Sequence, residues 1–205
     1  MSATRRPRRT FTDDDVSADR IAEAALTLCR DGGVAALTMR ALARELDLTI
    51  PTIYRTVGDR DGVLDIVVDR IAAELVSITP IDADLTARLT IAYDWLVSVE
   101  GAAMVLIERL PLTNSSLQYL GDSAALLERS SPDVATSAAR WRVLWTYVVG
   151  CAAAAGARST TIDVTSLDVP EHSMEILAAL ASKDARTMFL DGLQILLHAF
   201  ASDPS

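Results

Sequence analysis

Between Leu48 and Leu64 the chain reads LTIPTIYRTVGDRDGVL. Thr49, Thr52 and Thr56 bring hydroxyls, Tyr54 a phenol, and Arg55 and Arg60 guanidinium groups. Pro51 and Gly58 confine most of them to a helix of about two turns. None of these groups forms a nucleophile–base pair, so the chemistry is one of binding. An element that enters the major groove of a duplex needs short or apolar residues first, so that its backbone approaches, and longer donors behind them. Ile50, Pro51 and Thr52 meet the first need, and Ile50 or Thr52 can touch a thymine methyl. Arg55 can reach a guanine with two parallel hydrogen bonds. Tyr54 and Thr49 suit phosphate oxygens, which fix register without reading sequence. Arg60 adds charge beside the backbone amides that open the next helix.

These side chains need elements to hold them. Thr49 is placed to cap the short helix, with Leu48 and Ile53 as its hydrophobic staple. The same device precedes it: Thr38 as cap and Leu37 against Leu42, on a helix that ends near Leu46. Asp47 falls in the intervening turn and is among the residue types that tolerate a positive φ. Two short helices joined by about three residues, the second capped by threonine, form a helix-turn-helix pattern. A longer helix over Ser17–Arg30, stopped by Gly32-Gly33, comes before them. Asp59 caps a fourth that carries Leu64, Val67, Val68, Ile71 and Leu75 as far as Pro80.

The whole chain has 205 residues, half of them hydrophobic, with few glycines and prolines, which predicts an all-α protein. Net charge is −9, unevenly spread: residues 1–60 hold ten arginines against nine acids, and residues 61–205 nine basic residues against nineteen acids. A polyanion would therefore be met by the N-terminal end. Arg5, Arg6, Arg8 and Arg9 suit an arm that tracks a DNA backbone or enters the minor groove. Cys29 and Cys151 lie in apolar helical patterns, and with His172 and His198 they lack metal-ligand spacing, so two structural thiols in a reducing compartment are expected. There is no Gly-rich phosphate loop, and no enzyme activity or cofactor is expected. The N-terminus lacks the apolar stretch of a secretory signal, and the uncharged run 143–157 is shorter than the ~18 residues a spanning helix needs. The expected setting is the cytoplasm, without a membrane.

Beyond Pro80 the pattern stays helical. Leu85, Leu89, Ala92, Leu96 and Val99 line one helix, and a short apolar piece follows from Ala103 to Leu110. Ser115 and Gln118 suggest a capping box for the next helix, and Ser131-Pro132 the start of a long one reaching Gly156. Residues 157–169 read as a polar loop, followed by helices from about Pro170 and from Asp184 to Phe200. In the long helix Trp141, Leu144, Trp145, Val148 and Ala152 form one apolar stripe, and Val143, Tyr147, Gly150 and Ala154 another. A helix apolar on two faces must bury both.

The run ALTMRALARELDLTIPTIYRTVGDRDGVLDIVVDRI resembles the N-terminal DNA-binding domain of TetR-family transcriptional repressors, and the likeness extends over about Val16 to Leu75. It rests on the Leu-Thr-x-Arg opening at Leu37–Arg40, the Leu42-Ala43 pair, Tyr54 three residues after Pro51, and the Asp-Arg-Asp-x-x-Leu entry at Asp59–Leu64. The resemblance implies that Arg40 reads a base from the second helix, that Thr38 and Tyr54 contact phosphates, and that Arg60 is the basic residue opening helix four. Asp47 stands where the family most often has glycine. Ile50 lacks the hydrogen-bonding side chain of some members, which throws base reading onto Arg40 and Arg55. More weakly, YVVGCAAAA and FLDGLQILLHAF resemble the two helices through which such proteins dimerise. An interface of Val143, Tyr147, Gly150, Ala154, Gly192 and Leu196 follows, with the glycines allowing close approach. A small-molecule effector is implied too, in a pocket walled by Trp95, Met104, Tyr119, Trp141 and Trp145 with Arg109, Gln118 and Arg140 as polar tips.

The expected architecture is thus a basic arm at 1–15 and a three-helix DNA-binding domain at 16–77. The latter joins through helix four to a larger helical bundle at 78–205 for effector binding and dimerisation. The expected function is a ligand-responsive repressor, binding a palindromic operator in double-stranded DNA as a homodimer. The rival is an all-α dimeric module of the same fold that binds a small molecule or a protein and does not read DNA. It would lack the steep salt dependence that phosphate contacts impose.

Overall fold

The computed structural model describes residues 17–109, 113–129, 133–156 and 170–202. Within them lie ten α-helices and one 3-10 turn, Val34–Ala36. The basic arm, the Ser131-Pro132 start and the loop expected at 157–169 fall outside the described residues.

The first three helices form a small head. α1 (Ala18–Gly32) is capped by Ser17, whose hydroxyl accepts from the Arg20 amide, and it buries Ile21, Ala25 and Leu28 on one side. α2 (Met39–Glu45) starts at Thr38, which accepts from the Ala41 amide at 3.1 Å, and it buries Met39, Leu42 and Ala43. α3 (Ile50–Val57) starts at Thr49, which accepts from the Thr52 amide at 3.3 Å, with proline in its first turn. Between them Asp47 adopts φ 55°, the left-handed conformation that reverses the chain. α4 (Arg60–Ile78) is capped by Asp59 through the Gly62 amide and packs along α1.

The body continues with α5 (Leu85–Ser98), α6 (Ala102–Glu108), α7 (Asn114–Glu128), α8 (Val134–Gly156), α9 (Glu171–Ala181) and α10 (Ala185–Ser202). α8 is central: α5, α6, α7 and α10 all pack on it, and α7 packs on α4 as well. Its first stripe behaves as a core stripe should, with Leu144 and Val148 at 0% exposure. The capping box of α7 is formed two residues earlier than the sequence suggested. Thr113 accepts from the Ser116 amide and Ser116 Oγ accepts from the Thr113 amide, so a serine hydroxyl does what glutamine was expected to do. Ser115 instead directs its amide at Asp69 on α4.

Head and body meet closely at the α5–α6 turn. Gly101 has φ 87°, and a Cβ there would lie 3.1 Å from Cys29 Cβ, so the turn sits directly on the end of α1. Cys29 is buried in this junction, and burial pushes its thiol up to about 11. Cys151 is a free, half-buried thiol.

Candidate functional site

α3 is held by one inward residue and offers the rest. Ile53 is at 0% exposure beneath it, whereas Tyr54 is at 50% and Ile50, Pro51 and Arg55 also face outward. Half of the Tyr54 surface is therefore open to a partner. Arg40 and Thr38 are exposed on α2. These side chains of α2 and α3 are therefore open to solvent, with two qualifications that geometry adds. Thr49 and Thr52 share a hydrogen bond of 2.9 Å, and the Thr56 hydroxyl donates to the Thr52 carbonyl at 2.9 Å, leaving Thr56 only as an acceptor in this rotamer.

Arg60 departs most from expectation. Its guanidinium turns inward: Nε donates to the Leu37 carbonyl at 3.0 Å, one terminal nitrogen to the Val34 carbonyl at 3.0 Å, and the other pairs with Glu108. The hydrogen bond to Glu108 holds its proton more tightly than usual. Instead of waiting for a phosphate, Arg60 ties the 3-10 turn before α2 to the end of α6. Next to it Arg109 bridges Asp65, through two nitrogens, and Asp61 at 2.9 Å. These charges fasten the N-terminal half of α4 to the body, and Arg109 is accordingly no polar tip of a pocket.

A cavity of about 80 Å³ lies deeper in the body. Val68, Ile71, Ala72 and Leu75 of α4 form one wall, and Tyr119, Trp141 and Trp145 face them; Leu106, Ser116 and Leu120 complete it. The indoles stack at 5.5 Å between centroids and 18° between planes, and the Tyr119 ring is tilted against both. Of the side chains expected around a pocket, these three are brought together. Trp95 lies against α1, flanking a groove with Leu26 and Arg30; Met104 and Gln118 face solvent; and Arg140 is buried with its guanidinium over the Phe200 ring. The α4 wall was missed, although α4 carries apolar residues on more than one face, which is the signal that it serves two neighbours. Buried Arg88 was missed as well: it sits over the Tyr119 ring at 5.1 Å, with Ser123 at 3.3 Å.

The expected interface residues divide. Val143, at 46% exposure, Gly150 and Ala154 face outward from α8. Tyr147 and Gly192 meet each other within the chain instead. Tyr147 donates to the Phe189 carbonyl at 3.0 Å and stacks on Phe189, and a Cβ on Gly192 would lie 2.0 Å from the Tyr147 hydroxyl. Gly192 thus lets α10 accept Tyr147, a different close approach from the one expected. Leu196 is half-buried on α10, beside Ile195 at 69% exposure.

A helix-turn-helix head on an all-α body with an internal cavity defines a DNA-binding regulator of a known architecture. Residues 21–65 match the family model described as bacterial regulatory proteins, tetR family. No curated protein matches the sequence. Among solved structures, apo ActR from Streptomyces coelicolor is 26% identical, with a TM-score of 0.71 over 91% of this chain and 95% of that one. The same protein in complex with actinorhodin is 26% identical with a TM-score of 0.70, over 92% and 99% of the two chains. TetR from Acinetobacter baumannii AYE shares the fold at 18% identity and a TM-score of 0.67, over 91% and 97%. Residues 21–65 are thus similar to the tetR family of bacterial regulatory proteins, and the chain as a whole shares the fold of these solved regulators. No single described helix is long and apolar enough to cross a membrane.

Proposed function

We propose that this regulator is a ligand-responsive repressor that binds a palindromic operator as a homodimer in the cytoplasm, and that it is not an enzyme. Residues 16–77 would read DNA, with 1–15 as a basic arm, and residues 78–205 would bind the effector and the second copy. The observation that carries this reading is α3: Ile53 anchors it while Tyr54 and Arg55 stand outward, as Arg40 does on α2. Arg40 and Arg55 would read bases; Thr38, Thr49 and Tyr54 would hold phosphates, with Ile50, Pro51 and Thr52 at the groove floor.

Dimerisation is supported by apolar side chains left in water on adjacent helices, Val143 on α8 with Met188 and Ile195 on α10. A two-fold pair would set two copies of α3 about one DNA turn apart. Effector response is supported by α4, which carries one wall of the cavity and, half a helix away, the ion pairs that hold the head. A ligand that displaces that wall biases the head, which is a coupling free energy between two sites. Glu108 and Leu106 place α6 in the same connection.

Selection of bound sequences from random duplex DNA by the ligand-free protein tests the reading. Enrichment of a palindrome with half-sites about 10 bp apart is expected. Binding without enrichment, or with a flat salt dependence, would favour a module of the same fold that does not read DNA.

A further inference from the structure

The guanidinium of Arg60 divides its donors between two tasks. Nε and one terminal nitrogen share an edge, and that edge takes two carbonyls of one short turn, Leu37 at 3.0 Å and Val34 at 3.0 Å. The other terminal nitrogen goes to Glu108, the last residue of α6. The turn is held from both sides, because the Val34 and Leu37 side chains are buried while their carbonyls meet the fork. A planar fork on two carbonyls and a carboxylate fixes position and orientation together, which a single ammonium does not.

α2 follows directly on this turn. Leu37 precedes Thr38, whose hydroxyl accepts from the Ala41 amide at 3.1 Å and whose carbonyl accepts from the Leu42 amide at 2.9 Å. Arg40, exposed, is the second residue of the helix. With seven residues α2 is too short to be stable alone, so its bearing is set by what holds it. Buried Met39 and Leu42 hold its underside, and Arg60 holds the carbonyls in front of it. Arg60 in turn has a fixed seat. The next residue on each segment, Asp61 and Arg109, forms the reciprocal pair at 2.9 Å. The charges run plus–minus at the start of α4 and minus–plus at the end of α6. A slip of one residue would therefore set like charges against each other.

We propose that Arg60 is a positioning residue for DNA recognition: it sets the start of α2, and with it the aim of Arg40, without contacting a phosphate itself. Glu108 acts through Arg60 in the same way. The proposal rests on reading α2 and α3 as the DNA-binding elements, and it gives base discrimination by Arg40 a cause outside the exposed set. With 34% of its side chain exposed, Arg60 is open enough to turn to a phosphate, so the test must separate the two roles.

The test uses the full-length protein and the duplex it enriches from random DNA, titrated at several salt concentrations. Arg60→Lys keeps the charge and removes the fork. It should lower affinity about 10-fold and leave the salt dependence unchanged. It should also flatten the preference at the base position that Arg40→Ala flattens, while the position assigned through Arg55→Ala keeps its preference. In the Arg40→Ala background the same change should cost less than about 2-fold, since both act on one contact. Glu108→Ala should lower affinity about 3-fold although it removes a negative charge; a phosphate-binding Arg60 released from Glu108 would raise it instead. Circular dichroism checks that each variant folds, and Glu108→Ala carries the test if Arg60→Lys does not. A near-wild-type Arg60→Lys, a tighter-binding Glu108→Ala, or preference lost equally at every position would overturn the proposal. A wild-type protein that selects no duplex would sink the repressor reading by itself, and hydrogen exchange then decides the hold on α2. Faster exchange of the Ala41 and Leu42 amides in Arg60→Lys would support that hold, and unchanged exchange would overturn it.

Discussion

The two halves of α4 are built on opposite principles. From Asp59 to Asp65 the helix is held by directional groups: a carboxylate cap, the Arg60 fork on two carbonyls and Glu108, and the Arg109 bridge to Asp61 and Asp65. From Val68 to Leu75 its cavity-facing side is apolar and borders empty space, and the polar ties on its other sides are single contacts, Asp69 with the Ser115 amide and Arg70 with Asp19. Hydrogen-bonded forks admit one geometry, while methyl groups beside a cavity admit several at small cost. One helix therefore carries a fixed end next to α3 and a yielding end next to the cavity.

Substitutions on either side of that boundary should behave differently. The largest effect is expected from Leu75→Ala, which enlarges the cavity and should lower unfolding stability by about 2–5 kcal/mol in urea titrations. A loss under 1 kcal/mol would mean that the α4 wall collapses freely, and the contrast between the halves would fail. Arg55→Ala should leave stability unchanged and cost about 1–3 kcal/mol in DNA binding, relaxing one operator position. Uniform weakening at every position would reassign Arg55 to a phosphate. Glu108→Gln keeps the shape of the brace and removes its charge. Because both partners are about a third exposed or more, stability should fall by no more than ~1 kcal/mol. The response of DNA binding to a cavity ligand should weaken while the affinity for that ligand is kept; an unaltered response would take α6 out of the connection. The smallest effect is expected from Asp47→Gly. Relief of a left-handed non-glycine residue should raise stability by about 0.5–1 kcal/mol. Loss of a negative charge beside α3 should also raise DNA affinity slightly at low salt.

The same contrast explains what could be read in advance. Thr38, Thr49 and Asp59 act across three residues, and Asp47 within one, so caps and turn were legible locally. The Arg60–Glu108 pair joins residues 48 apart, and nothing in the neighbourhood of either announces the other. Arg60 was therefore assigned to DNA by its position, when packing had already given it partners. The capping box of α7 was misplaced for a subtler reason. Gln118 made the better pattern, but Thr113 and Ser116 sit where the chain actually turns into the helix. In the body, Tyr119, Trp141 and Trp145 were named as pocket walls from the family resemblance, and the wall opposite was not, since a helix shared between two neighbours shows no single clean stripe. Likewise Gly192 was recognisable as a point of close approach, but only the fold says that the group approaching is Tyr147 of the same chain.

The length of α4 has a mechanical consequence. The helix has 19 residues and is stiff along its axis. Ala72 lies ten residues from Gly62, roughly 15 Å along the rise of an α-helix. If residues 60–65 serve as the fulcrum, a sideways push of ~1 Å at Ala72 reaches the other end as a turn of about 4° and almost no translation. A stiff lever conserves angle along its whole length, whereas displacement dies away towards its pivot. α3, attached at the pivot, would be re-aimed more than moved, so the protein's response to its ligand would be a change of bearing.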